Sequence, residues 1–80
     1  MSGDILDSIR RAIVDKIPDA TVDVQPGSAG HFTIAVVSPV FAGKNMVESQ
    51  RLVYGAIAHL MKGDAAPVHA VDKLTTKTPS

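Results

Sequence analysis

Apolar residues at Ile5, Ile9, Ala12, Ile13 and Ile17 recur at steps of three and four, the period of a helix with one buried face. Ser2 or Asp4 can cap its N-terminus, and acidic Asp4 and Asp7 suit the positive end of the helix dipole. Asp7 and Arg11 stand four apart in the favourable order for an ion pair. Pro18 pushes Ile17 away from helical angles and ends the helix there. The pattern then changes to alternation. Thr21-Val22-Asp23-Val24 places Val22 and Val24 on one face of a strand, and His31 to Ser38 sets Phe32, Ile34 and Val36 against His31, Thr33, Ala35 and Val37. The second set is itself partly apolar, which predicts a central strand covered on much of both faces. Gln25 to Gly30 is a turn cluster of six residues without an apolar anchor, so the two strands should form an antiparallel hairpin.

Pro39 stops the second strand. Val40-Phe41-Ala42-Gly43-Lys44 crosses to a second helix with Phe41 as its one large anchor. Asn45-Met46-Val47-Glu48 reads as a capping box, and Val53, Ala56, Ile57, Leu60 and Met61 form the buried stripe up to a stop at Gly63. Asp64 to Pro67 connects to a third strand that begins with Val68-His69-Ala70-Val71, and the polar residues Thr75 to Ser80 should fray. The order is α-β-β-α-β in one domain spanning residues 1–80, an α+β fold. Two helices suffice to cover one face of a three-stranded sheet. A right-handed crossover would make the third strand parallel to the second, giving a mixed sheet.

Composition narrows the function. The chain has no cysteine, so it can form no disulfide and offers no thiolate to a metal or a substrate. A soft metal centre could be held only with sulfur from a partner. Eight Lys and Arg balance eight Asp and Glu, and aromatic residues are 4% of the chain, unlike the basic excess and stacking arrays of dedicated nucleic-acid binders. Met1-Ser2-Gly3-Asp4 carries neither a basic leader region nor an Arg-rich presequence, and no apolar run is long enough for a membrane. A cytoplasmic protein is the expectation. Catalysis finds no support: Asp23, Asp64 and Asp72 are isolated acids, and Ser38 and Ser49 lack a base.

Four pieces of sequence carry a stronger signal together than apart: His31-Phe32-x-Ile34-Ala35-Val36-Val37-Ser38, Phe41-x-Gly43-Lys44, Arg51-Leu52-Val53-Tyr54, and Val68-His69-Ala70. In this order and spacing they resemble the BolA-like family, whose pattern runs H-F-x-V-x-I-V-S-x-x-F-x-G, then H-R-x-V-Y, then H-A. The resemblance implies a mixed sheet of class II KH-like topology. It also implies an adaptor, not an enzyme, that meets a monothiol glutaredoxin around a shared [2Fe–2S] cluster, in iron–sulfur trafficking or iron-status regulation. The glutaredoxin and glutathione would supply the sulfur ligands. Alone, the chain would carry no cofactor and stand as a monomer or weak dimer.

His69 matches the cluster ligand of the H-A motif, and imidazole can replace thiolate on one iron of such a centre, raising its potential. Many relatives carry a second ligand, Cys or His, in the loop between the first two strands. Ser28 stands near that position here and is a poor iron ligand. Gly27, Ser28 and Gly30 would wall the metal site, and His31, three residues on from Ser28, is the other candidate ligand. Gln50 replaces the histidine of H-R-x-V-Y, and His59 matches nothing and reads as a surface residue. Between Val71 and Thr78-Pro79 the chain is one residue longer than usual, most simply a β-bulge that returns Leu74 to the core face. The helical extension usual in relatives after Thr-Pro is missing. The alternative function is a small DNA- or RNA-binding transcriptional regulator of the stress response, with Lys44, Arg51, Lys62 and Lys73 (and Lys77) as a weak basic face. The letters Gly27-Ser28-Ala29-Gly30 match a KH-type GxxG, but between two strands instead of two helices.

Overall fold

The computed structural model describes residues 4–63 and 66–79, and the side chain of Asp4 lies outside that description. The first helix, α1, spans Asp4–Lys16 and is released at Pro18 as the sequence predicts. The caps expected from Ser2 and the Asp4 side chain lie outside the described residues. Asp7 pairs with Arg11 at 3.1 Å and more loosely with Arg10 at 3.7 Å. Strand β1, Thr21–Pro26, pairs antiparallel with β2, His31–Val37. A single 3₁₀ turn at Pro39–Phe41 leads to α2, Met46–Ile57, which continues as 3₁₀ over Ala58–Leu60 before β3, Ala70–Lys77. Strand order is β1-β2-β3, with β3 parallel to β2. The expected mixed sheet is therefore present, and β2 is its centre.

One core holds the fold together. Ile9, Ile13 and Ile17 of α1 and Val53, Ala56 and Ile57 of α2 close over Val24, Phe32, Ile34 and Val36. Both helices thus lie on one face of the sheet. The other face carries the half-buried His31, Thr33, Ala35 and Val37 with none of the described helices against them, so the cover expected on much of both faces of β2 is only partial there. Ala35 and Val37 are small enough to sit in a pleated, partly wetted face flanked by the exposed Asp23, Gln25, Lys73 and Lys77.

The capping box forms as predicted. Asn45 Oδ1 accepts from the Glu48 N–H at 2.8 Å, and Glu48 Oε1 accepts from the Asn45 N–H at 3.1 Å. The far end of α2 differs. The α-helix stops at Ile57, and Gly63, left-handed at φ +84°, lies three residues past the end of the following 3₁₀ turn. The tail differs too. Thr75, Thr76 and Lys77 do not fray but pair with Ala35, Val36 and Val37, and the Ser38 N–H donates to the Lys77 carbonyl at 2.9 Å. Their side chains are polar, but the free edge of β2 offers their backbone a full ladder.

Gly55 lies within α2 on an exposed, shallow groove between the two helices, and a Cβ built there meets no atom within 4 Å. Gly55→Ala is therefore expected to stabilise the domain by about 0.5–1 kcal/mol through helix propensity alone. Thermal unfolding followed by circular dichroism checks this. A melting temperature at or below wild type would show that a methyl group is not accommodated in the groove.

Candidate functional site

The residues with chemistry collect at one end of the sheet, around the turn joining β1 to β2. Gln25 and Pro26 extend β1, pairing with Thr33 and Phe32, so the loop shortens from the expected six residues to Gly27–Gly30. An edge strand tolerates a proline that cannot donate to a ladder. The turn is closed by the Gly27 N–H donating to the His31 carbonyl at 2.9 Å and the His31 N–H donating to the Ser28 carbonyl at 2.8 Å. Gly30, at φ +77°, occupies the left-handed position that glycine fills without strain.

From here the turn reaches β3. The Gly30 carbonyl accepts from both the His69 N–H, at 2.8 Å, and the Ala70 N–H, at 3.0 Å. His69 lies just before β3, not inside it, and is exposed. Its ring lies against the bare α-carbon of Gly30: a Cβ built at Gly30 would come within 2.5 Å of His69 Cδ2 and 2.8 Å of Cγ. The imidazole is thus backed on one side by main chain and open to solvent elsewhere. Gly30→Ala adds both the left-handed penalty, about 1–3 kcal/mol, and a collision that moves the His69 ring. The expected outcome is a lowered urea midpoint together with shifted His69 ring resonances in NMR spectra; unshifted resonances would mean that the ring does not rest on Gly30.

The predicted bulge is also here. Phe32 pairs with Val71 and Thr33 with Lys73, so Asp72 is the extra residue of β3, and Leu74 returns to the core beside Ile34. Asp72 was expected to be an isolated acid. Instead its Oδ1 accepts from His31 Nδ1 at 2.8 Å, with both side chains about half exposed, 51% and 40%. Its other oxygen, Oδ2, lies beside Gly27, 3.5 Å from where a Cβ would stand. The extra length of β3 was visible in the sequence; that Asp72 is the bulged residue was not. Gly27, Ser28, Gly30, His31 and His69 lie together at this end of the sheet, and Asp72 joins them.

Other candidates fall elsewhere. His59 is exposed on the 3₁₀ turn after α2, lining a groove of about 540 Å³ between the helices. Gln50 donates from Nε2 to the Leu74 carbonyl at 3.3 Å, tying α2 to β3. Ser38 is buried and accepts from the Val40 N–H at 3.2 Å, and Ser49 is buried within α2. The four cations of the nucleic-acid reading do not form one face. Arg51 projects from α2, whereas Lys73 lies across the sheet on its open side, paired with Thr33, and Lys44 and Lys62 flank the ends of the α2 segment.

The donor set limits what metal chemistry this end of the sheet can do. Among the described residues no group of three or more His, Asp or Glu is arranged to hold a metal ion, and the chain has no cysteine. It can contribute imidazole nitrogen to a centre whose remaining ligands come from elsewhere. That fits a shared iron–sulfur cluster as a minority donor. Among the described residues no helix is long and apolar enough to cross a membrane.

Comparison with known proteins agrees with this arrangement. The family described as BolA-like protein matches residues 7–80. Human BolA-like protein 1 is 42% identical over 57 residues, covering 71% of this chain but only 39% of the human protein's length. A BolA protein homologue from Coxiella burnetii is 31% identical, with a TM-score of 0.74 over 91% of this chain and 88% of that one. The BolA domain of SufE1 from Arabidopsis thaliana, 26% identical, superposes with a TM-score of 0.80 over 99% of this chain and 96% of that one. With α-β-β-α-β topology and a family match across nearly its whole length, the chain belongs to the BolA-like protein family.

Proposed function

We propose that this protein is an adaptor that binds a monothiol glutaredoxin and shares a [2Fe–2S] cluster with it, His69 being this chain's ligand. The observation that carries the reading is the setting of His69. Its main chain is bonded to Gly30, its ring is backed by the Gly30 α-carbon, and its remaining surface is open. An imidazole held this way loses little freedom when it binds. Glutathione and the glutaredoxin cysteine supply sulfur, which this chain lacks. Iron–sulfur trafficking or iron-status regulation is the corresponding role, and it requires no catalytic group.

The test is to mix the purified protein with cluster-loaded monothiol glutaredoxin and glutathione, and to record visible absorption and circular dichroism. A changed spectrum with formation of a mixed complex is expected. Spectra that equal the sum of the separate components would overturn the proposal. The regulator reading makes a different prediction, since affinity for DNA or RNA would fall steeply with added salt. With Arg51 and Lys73 on different sides of the molecule, no observation favours it.

A further inference from the structure

We propose that Asp72, the residue inserted by the β3 bulge, is a positioning residue for a second nitrogen donor, the Nε2 atom of His31. This inference rests on the shared-cluster reading and extends it to a residue with no role there. An aspartate carboxylate accepts hydrogen bonds and has no hydrogen to give, so the 2.8 Å contact requires the proton on His31 Nδ1. The lone pair is then on Nε2. The free histidine side chain prefers the opposite tautomer, with its proton on Nε2, so the carboxylate selects the form whose outer nitrogen can bind a metal without first losing a proton. This is the arrangement in which a carboxylate sets the tautomer and orientation of a metal-binding histidine.

Two independent features hold the pair in place. The bulge turns Asp72 out of the β2–β3 register toward His31, because Val71 and Lys73 take the positions paired with Phe32 and Thr33. The His31 main chain is also fixed at both its N–H and its carbonyl by the turn. His31 pairs with Ala70, the residue next to His69, and the Gly30 carbonyl just before His31 accepts from both the His69 and Ala70 N–H groups, so the two imidazoles belong to one end of the sheet. An exposed His–Asp pair contributes little to stability. Its consequence is orientation, and that separates it from a structural contact.

Two measurements decide the matter. In the metal-free protein, long-range ¹H–¹⁵N correlation spectra should show His31 with its proton on Nδ1, and Asp72→Ala should shift the population to Nε2–H. In the mixed complex, with ¹⁵N-histidine in this chain only, pulsed EPR of the reduced cluster should show two coupled nitrogens. His31→Ala should leave one, and Asp72→Ala should weaken retention of the cluster-loaded glutaredoxin by about 10–100-fold, the usual scale for loss of such an outer partner. A wild-type His31 protonated on Nε2, or a single nitrogen that His31→Ala leaves unchanged, would overturn the inference while the shared-cluster reading survived through His69. Absence of any coupled nitrogen in the wild-type complex would overturn both.

Discussion

His69→Ala is expected to abolish the spectral change that this protein imposes on a cluster-loaded monothiol glutaredoxin, while leaving the fold intact. The side chain is exposed, and the two hydrogen bonds that anchor this stretch to Gly30 come from the main-chain N–H groups of His69 and Ala70, which alanine retains. The stability change should therefore stay within about 0.5 kcal/mol, as for other surface substitutions. His59→Ala, on the helical side of the molecule, is the control and should change nothing. Iron and a proton compete for the same imidazole lone pair, so the wild-type mixed complex should also weaken on acidification. Mixed spectra and acid response identical in His69→Ala and wild type would remove His69 from the site and bring the regulator reading forward.

Phe41→Ala is expected to lower stability by about 3–5 kcal/mol, read as a fall in the urea midpoint. Phe41 is 5% exposed and is the only large apolar side chain of the crossing between β2 and α2 that enters the core. Its backbone is held in the 3₁₀ turn capped by Ser38, with the Lys44 N–H donating to the Phe41 carbonyl at 3.1 Å. A domain of this length has a total stability of only about 4–12 kcal/mol at the usual per-residue value, so the loss is a large part of the whole. An unchanged midpoint would show that the crossing segment does not depend on its anchor.

Much of this architecture could be read before any coordinates because its causes are local. The stripe of Ile9, Ile13 and Ile17, the alternation of Phe32, Ile34 and Val36, and the Asn45–Glu48 capping box each lie within one element, where spacing dictates which side chains share a face. The motif residues likewise pointed to the family and to His69. The one-residue excess in β3 announced a bulge, because an odd insertion must be absorbed if Leu74 is to stay with the core.

What escaped the sequence depends on partners distant along the chain. Nothing local tells a polar Thr75–Lys77 segment that β2 has a free edge, yet that edge bonds its backbone and makes it a strand. Pro26 and Gln25 look like turn residues until Phe32 and Thr33 pair with them. The same holds at the site. Sequence alone determined that a cysteine-free chain offers iron no thiolate, and it named His69 and His31 as the candidate nitrogen donors. The tertiary structure decided that Gly30 backs the His69 ring and that Asp72 meets His31 across 41 positions of sequence. Periodicity reports which face a residue occupies, but a hydrogen bond between two strands is set by register, and register exists only once the sheet has formed.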